Sequence, residues 1–70
     1  MRREPVSSSS IAAIGYNART GALEVEFVNG RLYRYRSVEA DVYEDFRVAS
    51  SKGTFFNECI RDAYPCERLR

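Results

Sequence analysis

Seventy residues, 44% apolar and 30% charged, describe one globular domain near the lower size limit for folding on a hydrophobic core alone. Eleven basic and ten acidic side chains leave a formal net charge of +1, which excludes the strongly basic footprint of a dedicated nucleic-acid binder and confines any such activity to a local patch. With no histidine and only two cysteines, the chain lacks the usual general base near neutral pH and cannot build a cysteine-only zinc site or a disulfide scaffold.

The N-terminal run Met-Arg-Arg-Glu-Pro-Val followed by Ser7–Ser10 carries positive charge but no apolar stretch, so it does not read as a signal peptide. Residues 1–9 read as a flexible lead-in, 10–68 as a single domain and 69–70 as a tail. No segment has the length and hydropathy of a membrane span, and a reducing cytoplasm is the expected compartment.

Three strand-like runs follow: 11–16, 22–28 and 32–36. In the second, Leu23, Val25 and Phe27 share one face and Glu24 and Glu26 the other. Between the first two runs, a four-residue loop, Ala18 to Gly21, pairs Tyr16 with Leu23 and Ile14 with Val25 on the core side. The next connection offers two registers. A two-residue Asn29-Gly30 turn would set Arg34 opposite Val25 and mix core with solvent on both faces. A three-residue loop, Val28-Asn29-Gly30, sets Tyr33 opposite Val25, Tyr35 opposite Leu23 and Arg34 opposite Glu24. The second register buries like with like and is preferred. It turns both tyrosines of Arg31-Leu32-Tyr33-Arg34-Tyr35-Arg36 towards the core, and it leaves Glu24–Arg34 as an exposed pair worth at most about 1 kcal/mol.

After Arg36 the period becomes helical. Ser37 can cap a helix starting near Val38, with Val42, Tyr43, Phe46 and Ala49 as its apolar stripe. Asp41, Glu44 and Asp45 lie off that stripe and read as a solvated acidic face rather than an acid–base pair. A second helix follows Ser-Ser-Lys-Gly, with Phe56, Cys59, Ile60 and Ala63 facing the core, and it stops before Pro65. Cys59 is thus expected as a small core residue and Cys66 as an unremarkable free thiol, with no disulfide between them. The predicted fold class is α+β, a three-stranded antiparallel meander followed by two helices packed on one face (β-β-β-α-α). The other sheet face, with Ile11, Ala13 and Leu32 among charges, is left open.

Read in order, Ile14-Gly15-Tyr16, Thr20-Gly21, the Leu23/Val25/Phe27 alternation, Gly30 and Tyr33-Arg34-Tyr35 make a consistent series. Val42-Tyr43, Ala49, Ser51-Lys52-Gly53, Phe56-Asn57, Ile60-Arg61 and Tyr64-Pro65 continue it. In this order and spacing the chain resembles the KTSC domain, a small family named from the C-terminal region of some lysyl-tRNA synthetases and found also as stand-alone bacterial proteins. It departs from that pattern at Glu39, where proline is expected after Val38. An RNA-binding role has been proposed for that family, and the resemblance carries that proposal to this chain as an expectation.

The residues suggest a locus for such binding. Ser51, Lys52 and Gly53 open the second helix, where free N–H groups and a lysine suit a phosphate, and Asn57 and Arg61 lie on one flank of it. The simpler reading is a serine cap and a glycine turn. Ser-Lys-Gly is not a P-loop. The expected function is a small non-catalytic binding module without a cofactor, its partner RNA (tRNA or single-stranded) held through phosphates. The alternative is a protein–protein module, its partner another protein or a second copy in a homodimer, that uses the open sheet face or an edge strand; near-neutral charge favours this class. An enzyme ranks third, since neither nucleophile, base nor metal can be assigned.

Overall fold

The alternation read along residues 22–27 governs the architecture. The computed structural model, which describes residues 3–70, has a five-stranded antiparallel sheet in the order β1-β2-β3-β4-β5. The strands are β1 (Glu4–Pro5), β2 (Ile11–Asn17), β3 (Ala22–Phe27), β4 (Leu32–Tyr35) and β5 (Cys66–Arg68). Between β4 and β5 the chain forms α1 (Ala40–Val48) and α2 (Lys52–Phe55), and α2 runs directly into a π-helical turn, Phe56–Ile60. The α+β meander with two helices is as expected, but the sheet gains a strand at each edge.

Both hairpin registers are those preferred from sequence: Tyr16 faces Leu23 and Ile14 faces Val25, while Tyr35 faces Leu23, Arg34 faces Glu24 and Tyr33 faces Val25. The three-residue loop closes with Phe27 N–H bonded to the Arg31 carbonyl at 2.9 Å, and Gly30 is left-handed at φ +92°. On the helix side of the sheet, Ile14, Leu23, Val25 and Tyr35 join Val38, Phe46, Phe56 and Ile60 in one buried core. Of the expected stripe, Val42, Tyr43 and Phe46 pack on that core, with Phe46 stacked on Phe55 at 5.4 Å and Tyr43 on Tyr16 at 4.7 Å, whereas Ala49 lies just past the end of α1 in extended backbone.

Several expectations are corrected. The segment read as a lead-in contributes β1, which pairs Glu4 with Ile14, and Val6 packs against the core. The C-terminal residues are equally engaged: the ladder beside β4 runs from Arg36 N–H on the Pro65 carbonyl to Leu32 N–H on the Arg70 carbonyl. A bulge between Ile11 and Ala13 shifts the register by one residue, so Ile11 turns into the core instead of lying on the far face. Ser37 does not cap α1. It sits at φ +60°, and the helix begins at Ala40 with Glu39 at the cap position and no side-chain cap bond. The reason is tertiary: Val38 donates to the Gly21 carbonyl at 2.9 Å and accepts the Tyr16 hydroxyl at 2.6 Å, and so it is tied to the first hairpin. In the π turn, Arg61 N–H reaches back to the Phe56 carbonyl, and this wider turn keeps Phe56 and Ile60 inside while Cys59 and Ala63 are exposed. Cys59 is therefore not a core residue.

The sheet face away from the helices is not open. Glu24 is only 4% exposed and accepts from Arg34 at 2.9 Å and Arg3 at 2.6 Å. Arg3 also reaches Glu26, Arg70 pairs with Glu26, and Glu67 joins Arg36 and Arg34. Four arginines and three glutamates thus roof this face in alternation, and Leu32 is buried beneath them. The exposed-pair reading of Glu24–Arg34 is overturned because β1 brings Arg3 over the carboxylate.

Candidate functional site

The five predicted site residues do not converge. Ser51, Lys52, Gly53 and Asn57 line one depression of about 380 Å³, and Ser7–Ser10 form its facing wall. Ser51 caps α2 as expected, its hydroxyl accepting from Thr54 N–H at 3.3 Å. The Lys52 ammonium turns back onto the Ala49 carbonyl at 2.6 Å, at the end of α1. The run of serines opposite, expected as the end of a flexible lead-in, follows β1 and lies against the helix start.

Arg61 lies elsewhere. It lines a second depression, about 410 Å³, between β4, β5 and the π turn, whose walls include Phe27, Tyr33, Tyr35 and Phe56. These rings pack edge to face: Phe27 on Tyr33 at 5.8 Å, Phe27 on Phe56 at 5.2 Å and Tyr35 on Phe56 at 5.7 Å. Positions four apart share a flank in this turn as in an α-helix, yet Asn57 borders the serine depression and Arg61, one turn on, borders the aromatic groove. Arg31, from the β3–β4 connection, stands on the same groove.

The charges divide sharply between the two sheet faces. Arg3, Arg34, Arg36 and Arg70 on the far face are all engaged with carboxylates. Among the described residues, Arg31 and Arg61 form no ion pair and no side-chain hydrogen bond, although Asp62 also lines the groove. The strand arginines Arg34 and Arg36 are thus already occupied, whereas two unpaired guanidiniums flank a groove lined by rings expected in the core.

Tyr35 lies at the bottom of the groove, 3% exposed, and its hydroxyl makes no hydrogen bond within the described residues. Burial, with lesser contributions from Cys66 and Tyr33, pushes its phenol up to about 12. A phenol that holds its proton more tightly when folded leaves stability whole below the unfolded value near pH 10 and lost progressively from there to about 12. Unfolding followed against pH should therefore show stability falling by about 1.4 kcal/mol per pH unit in that window. Tyr35→Phe should flatten that decline.

The chain matches the model of the KTSC domain over residues 7–64. It belongs to the KTSC domain family. An uncharacterized protein of Stutzerimonas stutzeri is 39% identical over 61 residues, covering 87% of this chain and 86% of that one. A lysine–tRNA ligase of Nostoc punctiforme is 38% identical over 61 residues, which are 87% of this chain but 11% of the ligase. Among solved structures, a KTSC domain protein from Yersinia pestis superposes with a TM-score of 0.93 at 37% identity, covering 99% of this chain and 97% of its own. The KTSC unit therefore occurs both as nearly the whole of a small protein and as a minor part of a large one. In this KTSC domain no helix of the described residues is long and apolar enough to cross a membrane.

Proposed function

We propose that this KTSC domain is a non-catalytic RNA-binding module that holds its ligand through phosphates, with Arg31 and Arg61 as the principal contacts. The observation that carries this reading is that these two guanidiniums are unpaired among the described residues and flank one groove, whereas the arginines of the other face are each paired with a carboxylate. Recurrence of the unit within lysine–tRNA ligases, proteins named for a tRNA, supports the choice of RNA. Ser51, Lys52, Gly53 and Asn57 form a secondary phosphate locus, and Lys52 contributes less there because its ammonium is held by Ala49. The roofed sheet face is a poor protein-docking surface, since its arginines and glutamates are already paired with one another.

Titration of the labelled domain with tRNA at low salt should move the amides of Arg31, Arg61 and their neighbours and reverse on adding salt. Arg31→Ala and Arg61→Ala should each weaken binding and reduce the salt slope by about 1. Lys52→Ala should have the smaller effect. Absence of any salt-sensitive shift at low ionic strength would sink the proposal.

A further inference from the structure

We infer that the groove between β4, β5 and the π turn accepts an unstacked base of single-stranded RNA, with Arg31 and Arg61 on the adjoining phosphates. The inference rests on the RNA reading and names the form of RNA. Three features carry it. The first is shape: about 410 Å³ lies in the range of small-ligand sites, enough for a nucleotide-sized group and too confined for a duplex. The second is the lining. Phe27 and Tyr33 are half-buried and meet edge to face, which leaves ring surface open to a base, and stacking on aromatic rings is how single strands are held. Duplex RNA is instead read across its grooves through sugars and phosphates, with its bases inaccessible to a pocket of rings.

The third feature is the Tyr35 hydroxyl. A buried tyrosine ordinarily gives its hydroxyl a partner, as Tyr16 does with the Val38 carbonyl at 2.6 Å. The Tyr35 hydroxyl has no protein partner among the described residues, but it is not sealed off: it opens on the groove, where a ligand can meet it. It offers one donor and one acceptor to the polar edge of a base lying against the rings. Tyr33 and Phe27 then supply stacking, Tyr35 the polar contact, and the two arginines the charge.

The test titrates the labelled full chain, at fixed salt, with a short oligouridylate, an RNA duplex, uridine monophosphate and an oligoglutamate of similar charge. The single strand should bind about tenfold more tightly than the duplex and shift Tyr33, Tyr35 and Phe56. Tyr33→Leu, which keeps an apolar side chain but no ring, should lose about tenfold in affinity with the salt slope unchanged, and Tyr33→Phe should restore it. Tyr35→Phe should weaken binding a few-fold (roughly 2–10) while leaving the fold intact. Duplex bound as tightly as single strand, or shifts confined to the serine depression, would overturn the inference and leave RNA binding standing. The mononucleotide binding as well as the oligomer would assign the groove to a free nucleotide, and groove shifts from oligoglutamate alone would assign it to a protein partner. Silence with both RNAs would remove both readings.

Discussion

Glu24→Ala is expected to destabilise the domain by about 2–4 kcal/mol, lowering its melting temperature by roughly 10–20 °C. Removing one member of a buried ion pair leaves its partner desolvated and uncompensated, at about 3–5 kcal/mol when both groups are enclosed. Here Glu24 is 4% exposed, but Arg3 and Arg34 retain 28% and 39% of their side-chain surface and can turn partly to water, which trims the cost. Two guanidiniums would be left facing each other over the vacated site. Burial pushes the Glu24 carboxyl up, but hydrogen bonds from Arg34 and Arg3, together with their charges, outweigh it and leave it below the ordinary carboxylate range. A carboxyl depressed in the folded state adds stability above its unfolded value, and that stability is lost as pH falls through the folded one. Glu24→Gln should therefore cost stability at neutral pH and flatten the acid limb of the pH profile. Glu44→Gln, which removes an exposed i,i+3 partner of Arg47, should change neither quantity measurably in the same urea titrations.

The same ion network decides where ligands can act. With its cations spent on Glu24, Glu26 and Glu67, the far face offers phosphate little that is not already engaged. A near-neutral domain can still present a local positive patch where cations outnumber acids, as at the groove, where, among the described residues, Arg31 and Arg61 stand beside Asp62 alone. The arrangement links the two sides of the sheet through β1: Arg3 before it closes the far face, and Ser7–Ser10 after it wall the serine depression. Loss of Glu24 should on this account perturb the serine depression more than the aromatic groove.

The central three strands were legible because a one-residue slip would have turned Tyr33 and Tyr35 outward and set Arg34 against Val25, a penalty visible in the letters alone. The outer strands were not. Two residues at β1 and three at β5 are too few to carry a period, and their pairing depends on neighbours already in place. The bulge at Ala12 was hidden because Ala12 and Ala13 are interchangeable in pattern. The π turn was hidden for a related reason: Phe56 and Ile60 sit at a spacing that satisfies an ordinary helix equally well, and only Cys59 and Ala63, both exposed, betray the wider turn. The groove itself went unseen because half-buried rings and core rings have the same sequence signature, and only the placement of β5 leaves Tyr33 and Phe27 partly uncovered.

Gly21→Ala should cost about 2–4 kcal/mol, against about 1 kcal/mol for Gly30→Ala, although both glycines are left-handed and close β-hairpins. The shared part is the strain of placing a side chain at φ +76° or +92°. The difference is steric. A Cβ on Gly30 meets nothing within 4 Å, whereas one on Gly21 would lie 3.3 Å from Ser37 Cα and from the Val38 carbonyl oxygen, and 3.4 Å from Val38 N. All three are backbone atoms and cannot swing aside. Yielding would lengthen the Val38–Gly21 bond, disturb the Val38 carbonyl that holds the Tyr16 hydroxyl, and lift a core valine that is 2% exposed. The first hairpin, the strand-to-helix link and the Tyr16–Tyr43 stack should therefore loosen together. Urea denaturation of the two variants measures the difference, and hydrogen exchange at Val38 localises it. Equal losses in the two variants would mean that the contact between Gly21 and the Ser37–Val38 backbone relaxes freely, so that α1 is not anchored through the first turn.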